Sequence, residues 1–145
     1  MDGRQVLERV TSALAACNRG DLDAALGSIA EDVIWRDVVL GVLHGRDALY
    51  DATKAYMAAF PDLRIEQTSS TLAPPRLAQE LTVTGTHRGE LLGVPATGRW
   101  TENYVAVVVT FDDDGQMIEG ALYWNVAALL HQLGAAPALE TAAAV

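Results

Sequence analysis

Asp37 is the first side chain whose surroundings could support proton transfer. It lies two residues after Trp35, in a stretch rich in valine, isoleucine and tryptophan. Because alternate residues of a β-strand share a face, the carboxylate would lie beside an indole ring. Enzymes use such a setting to keep an acid protonated or a base ready. We therefore predict Asp37 as a catalytic base and Trp35 as part of a substrate-binding wall. The alternative is a strand-end carboxylate that caps a turn.

His87 is the second candidate for acid–base chemistry, since an imidazole side chain changes its charge near neutral pH. The alternation along its strand places it on the same face as Leu77, Leu81, Val83 and Gly85. That face is the apolar one, so His87 is predicted to point into a cavity. The alternative is a structural histidine bonded to a backbone carbonyl at the end of the strand.

In the last predicted strand, several polar side chains fall on the same face. Glu119, Tyr123 and Asn125 share it, whereas Leu122 and Trp124 take the other. This combination predicts a pocket lining, with Glu119 and Tyr123 in contact with substrate. A carboxylate against an apolar wall is harder to ionise, so Glu119 could also serve as a base. The alternative for Glu119 is a salt bridge on the sheet face.

One polar residue of the preceding strand is also predicted to line the pocket. Glu102 and Asn103 are the two choices, and we favour Asn103 because its parity carries Val105, Val107 and Val109. The alternative is that this parity is exposed and packs against a second copy of the chain. In that case the three valines belong to a dimer interface.

The other reactive residues form no recognisable metal or nucleophile site. His44, His87 and His131 lack the spacing of metal ligands. The single cysteine, Cys17, excludes an intrachain disulfide and a cysteine-rich metal cluster. The glycines around His87 lack the strand-to-helix context of a phosphate loop, and no serine stands in a nucleophile elbow. The sequence therefore predicts chemistry without a metal.

The elements that must position these residues follow from the hydrophobic spacing. Steps of three and four predict helices up to residue 18, over 22–29, over 46–60 and over 126–133. Alternating β-branched segments predict strands at 32–40, 63–73, 76–88, 100–111 and 116–124. Helices followed by antiparallel strands indicate an α+β fold. We expect a curved antiparallel sheet packed on three N-terminal helices, as a cone-shaped barrel with an interior apolar pocket.

The length and the charge limit the function further. The chain has 145 residues, which suits one domain; we assign it to residues 1–134 and predict a flexible tail at 135–145. A formal charge of −9 argues against partners that carry phosphate, such as nucleic acid or an anionic membrane surface. The longest apolar run, at residues 105–111, is far too short to span a membrane. The start of the chain shows no apolar signal segment, so we expect a cytoplasmic protein.

Several short motifs then resemble one family. They are HGRDAL at 44–49, FPDL at 60–63, GTHRGELLGVPATGR at 85–99, DGQMIE at 114–119, YWN at 123–125 and LLHQLG at 129–134. In this order and spacing they resemble the SnoaL-like polyketide cyclases, over about residues 5 to 135. That family belongs to the nuclear-transport-factor and ketosteroid-isomerase superfamily.

The resemblance implies a cone-shaped α+β barrel with an apolar pocket and usually no cofactor. Members of the family close the rings of aromatic polyketides by intramolecular aldol chemistry, and close relatives are implicated in hydroxylating such substrates. The cavity of the family lies against the third helix, which makes Tyr56 and Met57 candidate walls as well as core residues. The cyclases carry an acid–base aspartate after the YW pair, where this chain has Asn125. An amide cannot take up that proton, so Asn125 is expected to face the cavity and hold a carbonyl or a water.

The leading prediction is therefore a cyclase of aromatic polyketide metabolism that needs no cofactor. Asp37 or His87 would remove a proton next to a carbonyl, and the enolate would attack a second carbonyl of the same molecule. The developing oxyanion would be stabilised by His87, Asn125 and Tyr123. The alternatives are a cofactor-independent hydroxylase on the same scaffold and a protein that binds the ligand without turnover. The predicted partners are a small aromatic substrate and a second copy of the chain.

Overall fold

The computed structural model describes residues 2–135, which form four helices and six strands. The elements in chain order are α1 (Gly3–Asn18), α2 (Leu22–Ala25), β1 (Ile29–Asp37), β2 (Gly41–His44), α3 (Arg46–Ala59), β3 (Arg64–Ala73), β4 (Arg76–Thr86), β5 (Trp100–Phe111), β6 (Met117–Trp124) and α4 (Val126–Gln132). All the helices and long strands that the sequence predicts are present, but α2 ends at Ala25, and Ile29, the predicted end of this helix, belongs to β1. The tail prediction falls almost entirely on residues 136–145, outside the described part of the chain.

The six strands form one sheet in the order β2-β1-β6-β5-β4-β3. The α+β prediction is confirmed, with two corrections. Strands β1 and β6 run parallel, so the sheet is mixed instead of wholly antiparallel. The two edge strands, β2 and β3, do not pair with each other, so the sheet is open and not a closed barrel. The first strand also begins earlier than predicted, at Ile29, because its first residue pairs with Met117 of β6.

Short polar side chains begin three of the four helices. The Asp2 carboxylate accepts the backbone N–H of Gln5, whose side chain accepts the N–H of Asp2 in return. Asp21 and Asn125 accept the N–H groups three residues later and so cap α2 and α4. These caps pair backbone donors that the first turn of a helix leaves without a partner.

The register of β4 and β5 decides which residues face the helices. Leu77 pairs with Val109 and Val83 pairs with Asn103, so the predicted apolar parity of β4 lies opposite the Asn103 parity of β5. Val107 and Val109 are buried in the core, and their parity is therefore the inner face of the sheet. The alternative that placed these valines at a dimer interface is wrong.

Trp35 shows how closely β1 and β6 pack at the centre of the sheet. Its ring lies over Gly120, its partner across the parallel pair, and a side chain on Gly120 would overlap the ring. The tryptophan is buried as a result. Trp35 is thus a member of the core, on the inner face where the sequence predicts it.

No helix among residues 2–135 is both long enough and apolar enough to cross a membrane.

Candidate functional site

His87 lies on the inner face of the sheet, directly after β4, and its exposed fraction is 0%. Its ring packs on Phe60, at the end of α3, with 5.5 Å between the ring centroids. Phe60 reaches this position because Gly85 has no side chain: a Cβ there would lie 3.0 Å from the Cβ of Phe60. The glycine two residues before His87 therefore makes room for the ring that supports it.

The end of α3 and the segment after it hold the backbone on both sides of His87. The Asp62 carboxylate accepts the backbone N–H and the hydroxyl of Thr86, each at 2.7 Å. Both hydrogen bonds lower the pKa of Asp62 below its usual value, and the bond from the backbone N–H of Thr86 has the larger effect. On the other side, Arg88 and Gly89 donate their N–H groups to the carbonyl of Ala59. The FPDL and GTHRG motifs thus meet around His87 and fix the backbone that carries it.

The two nitrogens of His87 have different surroundings. Nδ1 lies 3.0 Å from Oγ1 of Thr97 and accepts the backbone N–H of Thr97 at 3.2 Å. Nε2 is buried and has no hydrogen-bond partner among residues 2–135. Buried polar atoms of native proteins are nearly always paired, so an unpaired one needs an explanation. A ligand that reaches the inner face would supply the missing partner.

Asn103 has the same property on the neighbouring strand. It is 4% exposed, and its Nδ2 has no partner within the described residues. The side chains around it on the inner face of β5 include Thr101, whose hydroxyl donates to the carbonyl of Gly85 and is therefore paired. The structure places Asn103 on the inner face, where the sequence predicts it, with a buried amide nitrogen that lacks a partner among residues 2–135.

Asp37 ends β1 with its side chain buried. Its Oδ1 accepts the backbone N–H groups of Val39 and Leu40 and the indole Nε1–H of Trp124, at 2.7, 3.0 and 3.1 Å. The turn-capping alternative from the sequence is therefore present. All three described hydrogen bonds go to Oδ1, so they fix the carboxylate and leave Oδ2 free to take a proton.

A row of rings connects the surroundings of His87 with those of Asp37. Phe60, which packs on His87, lies 4.9 Å from the ring of Tyr56, and Tyr56 meets the ring of Trp124 edge-on at 6.1 Å. Trp124 in turn donates to Asp37. Aromatic faces of this kind suit a flat apolar ligand. Tyr56 thus lies within the row, and Met57 packs against the core beside it.

Tyr56 gives a pH dependence that can be measured. Burial raises the pKa of Tyr56 to about 12, above its ordinary value of 10.0. Folding therefore favours the protonated phenol, and this stability is complete below the unfolded pKa and is lost as the pH rises towards the folded one. Between about pH 10 and 12, we expect the wild type to lose up to about 1.4 kcal/mol per pH unit relative to Tyr56→Phe. Urea unfolding of both proteins across this range measures the difference, and coincident pH profiles would contradict it.

The structure places two predicted residues of β6 away from the inner face. Glu119 and Tyr123 point to the outer face, because Trp124 and Leu122, of the opposite parity, pack against the core. Glu119 forms an ion pair with Arg36, which is the salt-bridge alternative. The prediction of the inner parity of β6 is therefore wrong.

Asn125 also differs from its expected position. Its side chain is exposed, and its Oδ1 accepts the N–H of Ala128 at 2.9 Å as the cap of α4. The parity of β6 and the start of the following helix together turn it away from Asp37 and His87. The amide at this position has a structural role in the described chain.

Tyr123 and Asn125 border an open groove of about 790 Å³ that crosses the sheet from the end of β1 to β3. Tyr104, at 70% exposed, and Tyr123, at 53%, lie in it together with Val38. This groove therefore lies mainly on the outer face of the sheet, although Leu81, Val105 and Trp124 also line it. The inner face instead has polar atoms without partners.

The alternation of apolar and polar residues in the sequence does not identify three of the site residues. Thr97 lies in a loop without regular structure, and Phe60 and Trp124 read as core residues. All three fall within the motifs quoted for the family, and this was the only signal that could have identified them.

Within residues 2–135, no group of three or more histidine, cysteine, aspartate or glutamate side chains is arranged to hold a metal ion.

Solved structures resemble this fold over nearly its whole length. AclR from Streptomyces galilaeus, a proposed hydroxylase, shares 28% identity, with a TM-score of 0.84 and coverage of 94% of this chain and 100% of its own. IdmH from Streptomyces antibioticus, a proposed polyketide cyclase, shares 25% identity, with a TM-score of 0.77 and coverage of 90% and 99%. A protein from Catenulispora acidiphila with a ketosteroid isomerase-like fold shares 18% identity, with a TM-score of 0.74 and coverage of 88% and 92%. The last of these supports the fold alone.

The comparison with curated proteins gave no match. The family model of the SnoaL-like polyketide cyclases matches residues 8–133, which run from within α1 to the end of α4 and include both His87 and Asp37. The chain belongs to the SnoaL-like polyketide cyclase family.

Proposed function

We propose that this protein closes a ring of an aromatic polyketide by an intramolecular aldol reaction, in natural-product biosynthesis. The observation that carries the proposal is the pair of buried polar atoms without partners, His87 Nε2 and Asn103 Nδ2, on an inner face whose buried residues are mostly apolar. Groups of this kind stabilise charge that develops on a substrate oxygen. A flat substrate rich in carbonyl groups offers an oxygen to His87 and Asn103. Its apolar surface can pack on the row of aromatic rings.

In this mechanism, Oδ2 of Asp37 removes a proton from the carbon next to a carbonyl group. The enolate carbon attacks a second carbonyl of the same molecule and forms a carbon–carbon bond, while the second carbonyl oxygen becomes an alkoxide. His87 and Asn103 hold the oxygen that carries the developing charge. The alkoxide then recovers the proton, and the mass of the molecule does not change. Because the two reacting ends belong to one chain, holding them together supplies a large part of the acceleration.

The second candidate function is hydroxylation of the same class of substrate. It is favoured by the 28% identity to AclR and by the position of Asn125, which leaves no acid–base residue directly after Trp124. Here the deprotonated substrate adds dioxygen to give a hydroperoxide. A two-electron reductant, such as a thiol or a reduced nicotinamide, then removes the outer oxygen as water and leaves a hydroxyl group.

One experiment separates these functions. The purified protein is incubated in air, with and without a thiol reductant, with linear and partly cyclised aromatic polyketides, and the products are weighed by mass spectrometry. An unchanged mass with a new retention time, or loss of one water after dehydration, supports the cyclase. A gain of one oxygen that needs the reductant supports the hydroxylase. Saturable binding without any product, in the same panel, would overturn both reactions and leave a ligand-binding protein.

We also propose a homodimer that forms through the outer face of the sheet. Tyr104, Tyr123 and Val38 expose apolar surface there, and monomeric proteins seldom expose a contiguous apolar patch of this kind. We expect the wild type to sediment as a dimer and the double variant Tyr104→Glu with Tyr123→Glu to sediment as a folded monomer. A monomeric wild type in sedimentation velocity would exclude the dimer.

A further inference from the structure

The loop between β4 and β5 brings Thr97 back to His87. The N–H of His87 donates to the carbonyl of Arg99 at 2.9 Å, and the N–H of Gly98 donates to the carbonyl of His87 at 2.8 Å. These two bonds extend the pairing of β4 and β5 beyond the last regular residue. As a result, the backbone and the side chain of Thr97 both lie against the Nδ1 edge of the imidazole.

The backbone contact favours Nδ1 as the acceptor nitrogen. The Thr97 N–H lies 3.2 Å from Nδ1, and a backbone amide can only donate. A proton on Nδ1 would face that amide hydrogen directly. In a neutral imidazole one nitrogen accepts and the other carries the proton, so an acceptor at Nδ1 requires the proton on Nε2.

The hydroxyl of Thr97 acts in the same direction. Its Oγ1 accepts the N–H of Arg99 at 3.3 Å and lies 3.0 Å from Nδ1 of His87. With an amide hydrogen directed at this oxygen, the hydroxyl proton is free to point at Nδ1. Two donors from one residue then converge on Nδ1, and neither of them is available to Nε2.

We propose that Thr97 is a positioning residue that holds His87 as the tautomer with its proton on Nε2. His87 is then a hydrogen-bond donor to a substrate oxygen and not the base that starts the reaction. This inference rests on the proposed function for its catalytic meaning and assigns proton removal to Asp37. It also specifies the ligand group at this point of the inner face: an acceptor such as a carbonyl or phenolate oxygen, and not an amine or another donor.

The tautomer can be tested without any substrate. In protein labelled with ¹⁵N-histidine, the two ring nitrogens of a neutral imidazole give well-separated NMR shifts for the protonated and the bare nitrogen. The signals of His87 are assigned by their loss in His87→Gln, since the chain has two other histidines, His44 and His131. We expect a protonated Nε2 and a bare Nδ1 in the wild type. A bare Nε2 with a protonated Nδ1 would overturn the proposal.

Three variants then test the role of Thr97. Thr97→Val removes the hydroxyl but keeps the backbone N–H, Thr97→Ser restores the hydroxyl, and Thr68→Val removes an exposed hydroxyl that bonds a carbonyl on β4. We expect Thr97→Val to shift the His87 nitrogens towards a mixture of tautomers and to lower kcat by about 3- to 10-fold, with little change in KM. Thr97→Ser and Thr68→Val should both match the wild type in the NMR spectrum and in kcat.

The outcomes separate this inference from the proposed function. Unchanged nitrogen shifts and unchanged kcat in Thr97→Val would overturn the positioning role. A protonated Nε2 that depends on Thr97, in a protein that turns over no polyketide of the panel, would uphold the tautomer assignment and overturn the proposed reaction. Turnover of a polyketide by a protein whose His87 carries its proton on Nδ1 would do the reverse.

Discussion

Replacement of His87 by alanine is expected to lower the turnover of the ring-closing reaction by roughly 10²- to 10³-fold, which is the usual loss when one donor to an oxyanion is removed. The imidazole is fully buried, its Nε2 has no partner among residues 2–135, and the ring is fixed by Phe60 and Thr97. A group so placed can meet a substrate oxygen without reorganising. The measurement is kcat and KM on the substrate identified by mass spectrometry, with melting curves to establish that the variant is folded.

His131→Gln is the matched control, because this histidine is exposed at the end of α4, away from the inner face. It should retain the wild-type kcat. His87→Gln provides a second test: its amide can still donate a hydrogen bond, so it should lose less activity than His87→Ala. A folded His87→Ala protein with wild-type kcat would remove His87 from the reaction.

Asp37→Asn is expected to lower kcat by about 10²- to 10⁴-fold, the range for loss of a general base. The substitution is nearly isosteric, and the amide oxygen can still accept the N–H groups of Val39, Leu40 and Trp124 that hold the side chain in place. What it removes is the ability to take up a proton at the second oxygen. The fold should therefore survive, as circular dichroism and thermal unfolding can establish, while proton removal fails.

Two further carboxylates make this prediction specific. Asp51→Asn changes an exposed carboxylate of α3 and should leave kcat unchanged. Glu119→Gln distinguishes the inner face from the outer one, because the sequence leaves Glu119 open as a candidate base and the structure places it on the outer face with Arg36. Loss of activity in Glu119→Gln with full activity in Asp37→Asn would overturn the assignment of the base.

The positions of the elements follow closely from local sequence signals. Asp21 and the glycine at position 20 separate α1 from α2, and Pro61 follows the end of α3. The alternation of β4 places His87 on the apolar parity, and the valines of β5 place Asn103 there. Each of these features follows from residues that are close together in the chain. Apolar side chains recur with a period of two in strands and 3.6 in helices, and a capping or breaking residue marks where a helix begins or ends.

The sequence alone does not show which set of alternate residues in β6 faces the core. Each of its faces carries apolar and aromatic residues, so the pattern offers two solutions. The pairing of β6 with both β1 and β5 selects one of them: Gly120 must lie under the ring of Trp35, and Leu122 and Trp124 must then face the core. Glu119 and Tyr123 go to the outer face as a consequence.

The sequence by itself determined the fold class, the family and the order of the elements, and it favoured Asp37, His87 and Asn103 as residues of inner faces. Only the tertiary structure decided that Oδ1 of Asp37 is held by Trp124 and that Thr97 bonds His87 across the loop. The physical reason is the range of the interactions. Periodicity and caps act within one or two turns of chain, whereas these contacts join residues up to 87 positions apart, and their geometry exists only once the sheet has paired.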